Sequence, residues 1–375
     1  MNFTSKKFRF LIATAMSFML FSCEVSSGSG SPDVPDTPDT PDDGIYQFHS
    51  TVTYLDAGTD GTAGTNGTYC LFGDWPQTIK EQDVEVDESQ SITMGGAAYY
   101  LGSDKNYYAK CTEQAYNSSY TYSNGTAVNN GNTQYFKVEP IKWRVLNPDA
   151  TSENKILLAE KVLTANISYY GTESIRTLNE TTIYSNNYMY SNIRAYLNGK
   201  ANQFVTDGGT KSIYDVDWTG KGFFQTAFTA TAQGIIADTK VDNSAESTTD
   251  KYNNIPKATD CACSDTDDKI FLLSVKEVTA SGYGFADYNV FINDGNGTTE
   301  SARVRQPSDF AIANREYLDI PSAYGIWWLR SPSALDISYV RNVWSNGLSG
   351  YDRTLDLSVF CSNVGIVPAL SISAK

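Results

Sequence analysis

The chain has 375 residues, enough for one large domain or two ordinary ones, so a substantial core is within reach. Its formal net charge of −15 argues against a nucleic-acid partner, because phosphate binding needs a basic face. Tyrosine (25) far outnumbers histidine (1), which leaves the Ser-His-Asp and Cys-His nucleophile classes only His49, at the edge of a linker.

The N-terminus reads as a targeting segment. Lys6, Lys7 and Arg9 form a basic region, and residues 10–21 form an apolar run too short to span a bilayer comfortably. The run ends Leu20-Phe21-Ser22-Cys23, which resembles a bacterial lipobox: an apolar residue, a small one, then the Cys that takes lipid. Residues 1–22 are thus expected to be a lipoprotein signal peptide and Cys23 the lipidation site. Each buried methylene of an acyl chain contributes about 0.8 kcal/mol, so several chains together anchor a protein. Residues 23–44 follow as a stalk: Ser26-Ser27-Gly28-Ser29-Gly30-Ser31 is flexible, and the Pro-Asp repeat from Pro32 to Pro41 is extended.

From Ile45 the pattern turns to strands, dividing into a β-rich part over 45–135 and a second part over 136–375. Phe48, Val52 and Tyr54 have strand character. Tyr99-Tyr100-Leu101 and residues 106–111 form a hairpin around Gly102-Ser103-Asp104-Lys105. Residues 135–146 form a strand paired with residues 155–160. Two helices follow: Tyr190, Ile193, Arg194 and Leu197 share a face that ends at Asn198-Gly199, and Phe224, Ala227, Phe228 and Ile235 make the second. Residues 267–274 read as a short buried strand, residues 308–313 as a capped helical turn, and Asn346-Gly347 as the strongest C-terminal hairpin signal. This order gives an α+β fold, β-rich with two main helices.

Chemistry-bearing constellations are sparse. Of the six cysteines, Cys70, Cys111, Cys261, Cys263 and Cys361 remain after Cys23, an odd number that leaves at least one thiol unpaired or paired between chains. Cys261-Ala-Cys263 lacks the further ligands zinc needs and reads as a loop feature. Asn293-Asp294-Gly295-Asn296-Gly297 lacks the acidic register and terminal Glu of a calcium loop and reads as a polar turn. No spacing singles out a pair of carboxylates for glycoside hydrolysis. Gln306-Pro307-Ser308-Asp309 loosely resembles a lectin sugar-binding tripeptide, but Ser308 breaks its register and the segment starts a helix better. Trp143 and Trp328, each followed within two residues by Arg, read as core aromatics beside a charge that reaches a backbone or carboxylate partner. No metal, cofactor or catalytic residue is expected.

The C-terminal stretch is the most informative. Trp327-Trp328-Leu329-Arg330-Ser331-Pro332 and Val364-Gly365-Ile366-Val367-Pro368-Ala369-Leu370 have a framework composition. Between them, residues 333–363 mix Asp, Ser, Tyr, Asn, Arg, Gly, Trp and Phe, the composition of a recognition surface. Val340, Val343, Leu355, Leu357 and Val359 are expected to face the core and their neighbours to face out. The expected ligand-binding residues are Asp336, Ser338, Tyr339, Arg341, Asn342, Trp344, Ser345, Asn346, Tyr351, Asp352, Arg353, Asp356, Phe360 and Asn363. Exposed aromatics and Arg dominate binding hot spots.

Residues 141–146, Ser191-Asn192-Ile193-Arg194-Ala195-Tyr196-Leu197-Asn198, residues 268–274, Trp327–Pro332 and residues 365–370, in that order, resemble a known family. It is the domain of many treponemal surface lipoproteins, including the variable proteins of the Treponema variable protein A type that are served by diversity-generating retroelements. The resemblance implies a C-type-lectin-like fold of the formylglycine-generating-enzyme branch, used for binding and not for catalysis. It also implies that residues 333–363 are a variable region, rewritten by adenine-directed mutagenesis between fixed borders. The expected protein is a monomer in the cell envelope, held to the outer surface by lipid on Cys23, that binds a protein or glycan at the cell surface. The alternatives are an enzyme of the formylglycine-generating type, which needs a reactive cysteine pair, and a structural surface-coat protein.

Overall fold

A computed structural model describes residues 44–56, 68–149, 154–248, 261–286, 302–319, 323–333, 336–347 and 356–373. Contacts divide the chain after Pro35, and every described residue belongs to the unit that follows. The expected signal peptide, Cys23, nearly all of the expected stalk and residues 293–297, expected as a polar turn, lie outside the described residues.

The main sheet is organised around one long strand. Strands β1 (Thr53–Tyr54), β2 (Tyr69–Ile79), β3 (Val86–Met94), β4 (Ala97–Gly102) and β5 (Tyr107–Thr112) lead to β6 (Thr133–Val145) and β7 (Lys155–Ala159). The short strands β8 (Lys161–Val162), β9 (Arg176–Leu178), β10 (Thr181–Ile183), β11 (Thr239–Val241) and β14 (Gln306–Pro307) lie outside this sheet. One edge of β6 pairs with β2 along most of its length. The other edge is shared, with β5 on Thr133 to Lys137 and β7 on Trp143 to Val145. Phe136 and Val138 are buried, then Ile141, Trp143 and Val145, so the buried positions change parity at Glu139-Pro140. Proline cannot donate to a ladder, and the register of β2 shifts beside this point. The Gln77 side chain spans the irregularity, donating from Nε2 to the carbonyls of Glu139 (3.2 Å) and Pro140 (3.0 Å).

Both expected pairings of this region form, as the β4–β5 hairpin and the β6–β7 pair. Trp143 and Trp328 are fully buried, and Arg144 donates to the carbonyls of Tyr283 and Gly284. The expected strand over residues 48–54 shrinks to β1.

Helix α1 (Asn192–Asn198) is the first expected helix. The Ser191 hydroxyl caps it by accepting from the Arg194 N–H, and Gly199 ends it at φ 56°, a left-handed conformation that costs glycine little. The second expected helix is two helices, Phe223–Ala227 and Ala230–Ile235. Phe228 between them is extended (φ −133°, ψ 130°), and the Thr229 hydroxyl caps the second piece. The Thr229 cap and the packing of Phe228 against Phe72 and Phe223 together outweigh the apolar spacing that made one helix of them. Residues 267–274 likewise divide, into β12 (Thr266–Asp268), β13 (Ile270–Phe271) and the Ser274 cap of the Val275–Val278 helix. The Asp309–Ala313 helix begins at the Ser308 cap, as expected.

The sheet continues from β7 to β18 (Ala369–Ile372) and on to β13. One large buried cluster runs from Cys70, Phe72 and Trp143 to Trp327, Val340, Val359 and Ile366. Strands on both sides of residue 136 contribute to this cluster. The architecture is β-rich α+β.

Candidate ligand-binding face

The C-terminal framework is a small sheet tied to the core. Strand β15 (Trp327–Pro332) pairs with β16 (Tyr339–Val343), which pairs with β17 (Leu357–Ser358). The two borders of the 333–363 segment are laced together. The Trp328 N–H donates to the Gly365 carbonyl (3.0 Å), and the Gly365 N–H to that of Ile326 (2.8 Å). Arg330, buried within β15, donates to the Leu272 carbonyl (2.8 Å), the Asp242 carbonyl (3.1 Å) and the Glu277 carboxylate.

Val340, Val343 and Val359 are fully buried, as expected, and Leu357 is half-buried. Phe360 is 51% exposed. Asp336, Tyr339, Trp344, Ser345, Asn346 and Asn363 are partly exposed, although Trp344 also packs on the core. The chain turns at Asn346-Gly347, where the Gly347 N–H donates to the Trp344 carbonyl (2.8 Å). Tyr351, Asp352, Arg353 and Leu355 lie outside the described residues.

Four expected ligand residues point inward instead. Arg341 and Asp356 are buried and pair with each other, Nη1 to Oδ1 at 3.0 Å. Asn342 is fully buried opposite Trp328, and Ser338 is buried with its hydroxyl donating to Asp336 Oδ1 (2.8 Å). The expectation rested on one solvated face with strict alternation, but β16 is the central strand of its sheet and is covered on both faces.

Residues the sequence did not flag hold the segment in place. Asn186, fully buried, donates from Nδ2 to the carbonyls of Asp336 (3.1 Å) and Tyr339 (3.0 Å). The Tyr170 N–H donates to the Val359 carbonyl and the Ser168 hydroxyl to the Phe360 carbonyl, each at 3.0 Å. A polar run such as Ser185-Asn186-Asn187 looks the same in a solvated loop, so no sequence signal marked it.

Glu316 is the most unusual group behind this face. It is fully buried, Oε1 accepts from the Ile326 N–H (3.0 Å), and Oε2 has no hydrogen-bond partner. The carboxyl fills the space beside two glycines: a Cβ on Gly325 would meet Oε1 at 2.6 Å, and one on Gly365 would meet Oε2 at 2.5 Å. Burial holds this carboxyl well above the usual range, and the Ile326 hydrogen bond offsets that only in part.

Other reactive groups lie elsewhere. His49 docks on buried Asp74, with ring Nδ1 2.8 Å from Oδ1 and its backbone N–H 2.8 Å from Oδ2. The Tyr46 hydroxyl donates to the same carboxylate (2.6 Å). No Ser, Thr or Cys side chain is bonded to the His49 ring among the described residues. Cys70, Cys111, Cys263 and Cys361 are free thiols. Burial pushes Cys70 and Cys111 up to about 12 and Cys263 up to about 11, and raises Cys361. Among the described residues no group of three or more His, Cys, Asp or Glu could hold a metal ion. A cleft of about 440 Å³ at the end of α1 is lined by Arg194, Asn198, Lys200, Gln203 and Asp207 among others, and by none of residues 333–363.

Residues 152–374, more than half of the chain, match the family model described as a domain of unknown function, DUF6273. The chain belongs to the DUF6273 family. No curated protein and no solved structure matches it. The DUF6273 match takes in the whole candidate face and its supports, Tyr170, Asn186 and Glu316. It leaves out β2 to β6, which supply Phe72, Phe136 and Trp143 to the shared core.

Proposed function

We propose that this DUF6273 protein is a surface lipoprotein that binds a protein or glycan ligand through the outward side chains of residues 336–363, on a C-type-lectin-like fold. One observation carries the reading. The strands of this segment are buried, while Tyr339, Trp344, Ser345, Asn346 and Phe360 stay at least partly at the surface. Aromatic anchors among adaptable Ser and Asn are what recognition surfaces use. Binding is favoured over formylglycine-type catalysis because such catalysis needs a thiolate. Burial raises the Cys263 and Cys361 thiols, whereas a reactive cysteine is held below its ordinary value.

The test is a comparison of wild-type protein with a Tyr339→Ala/Ser345→Ala/Asn346→Ala variant on glycan and random-peptide arrays. Specific binding by the wild type is expected to fall by more than about tenfold in a variant that unfolds at nearly the same denaturant concentration. Equal binding by both proteins would reject the face. Anchoring rests on Cys23, in the lipobox-like segment, and Cys23→Ala should move the protein out of the detergent phase on partitioning. A variant that stayed there would reject the anchor.

A further inference from the structure

We infer that the binding face extends beyond the 333–363 segment onto two neighbouring loops, and that its partner is a cationic protein segment with apolar side chains. This rests on the binding reading above. Five large apolar side chains stand exposed among the described residues: Tyr54, Tyr116, Ile175, Ile213 and Phe360. The first two have aromatic roles, Tyr54 beneath the Lys155 ammonium and Tyr116 edge-on to Tyr317. The other three lie on chain segments that touch.

Residues 168–176 are seated between the other two segments. On one side, Ser168 and Tyr170 bond the backbone of Phe360 and Val359, and Glu173 accepts from the Ser358 hydroxyl (2.8 Å). On the other side, the Tyr170 hydroxyl lies 3.2 Å from both Ser212 Oγ and Asp215 Oδ1. A Cβ on Gly171 would lie 2.5 Å from the Tyr214 ring, so the two loops approach closely. The Arg176 guanidinium stacks on the Tyr170 ring at 3.9 Å and pairs with Asp215, which fixes the middle of the arrangement. Phe360, Ile175 (54% exposed) and Ile213 (72% exposed) thus sit on adjoining, internally braced loops. Exposed apolar groups gathered in this way mark interaction sites.

Charge decides the partner. Exposed Glu173 and Asp217 lie on or next to these loops and exposed Glu180 and Asp207 a few residues further along the chain, against exposed Lys211 and Lys221, in a chain of net charge −15. A second copy would bring the same acids to the contact, which disfavours self-association; a cationic segment complements them. Large apolar anchors suit Leu, Ile, Phe or Trp side chains better than a sugar ring bearing many hydroxyls.

The test selects a random-peptide phage library on the full chain, then measures the selected peptides on Ile175→Ser/Ile213→Ser, on Tyr339→Ala/Asn346→Ala and at raised salt. The expected peptides combine Lys or Arg with bulky apolar residues. They should lose about tenfold or more in affinity on the isoleucine variant and weaken with salt. Peptides that bind the isoleucine variant as well as wild type, but not the Tyr339/Asn346 variant, would overturn the extension and leave the binding reading intact. Selection of acidic or uncharged peptides, or none, would overturn the cationic partner, and dimerisation lost in the isoleucine variant would assign the face to a second copy.

Discussion

Asp268→Ala is expected to cost about 3–5 kcal/mol of stability, because it leaves the buried Arg194 guanidinium without its carboxylate. Asp268 is fully buried and accepts from Arg194 Nε at 2.8 and 3.1 Å, and from the Thr266 hydroxyl at 2.8 Å. The pair joins α1 to β12, so the loss should appear as a large drop in the denaturant midpoint. The exposed Lys110–Glu88 pair has a similar separation, 2.8 Å, yet its removal should cost only about 0–1 kcal/mol, since water already solvates both ends. An Asp268→Ala/Arg194→Met double variant is expected to recover much of the loss. If Asp268→Ala is as mild as a Lys110 substitution, the buried pair is not what holds α1.

Glu316→Gln is expected to reverse its effect with pH. The folded-state pKa of Glu316 lies well above that of an unfolded carboxyl, because burial penalises the charge. Its contribution is therefore fully present below about pH 4, where the group is protonated in both states, and is lost as pH rises through the folded-state value. Gln cannot ionise, so the stability of the variant relative to wild type should climb steadily above the ordinary carboxyl range. Tyr120, on which the Glu316 charge acts, and Tyr317 have raised values and stay neutral in this window. Denaturant unfolding at a series of pH values reads the difference. Parallel profiles for the two proteins would mean that Glu316 is not held neutral between Gly325 and Gly365.

What the sequence shows and what it hides follow from the range of the forces involved. Local signals read well. Gly102-Ser103-Asp104-Lys105 turns the β4–β5 hairpin, Ser308 caps its helix and Gly199 ends α1, because each acts on backbone a few residues away. The framework of the face was legible too, through Trp327, Trp328, Val340 and Val343. Inward placement of Arg341, Asn342 and Asp356 was not, since it depends on a pairing across β16 and cover from both sides. Asn186 and Glu316 stayed hidden for the same reason: their partners lie 153 and 10 positions away, and neither residue type announces burial. Phe228, which breaks one expected helix into two, packs against Phe72 and Phe223, a tertiary demand that outweighs the helical spacing.

The central claim is that residues 336–363 carry changeable outward positions on a fixed interior frame. Saturation mutagenesis of this segment, scored by protease resistance of the displayed protein, tests it most directly and needs no ligand. Substitutions at Tyr339, Ser345, Asn346, Phe360 and Asn363 are expected to change stability by no more than about 0.5 kcal/mol. At Val340, Arg341, Asn342, Val343, Asp356 and Val359 most should cost more than about 1 kcal/mol, with Trp344 between the two groups. Intolerance spread evenly over both sets, or heaviest at Tyr339, Ser345 and Asn346, would contradict the division into frame and face.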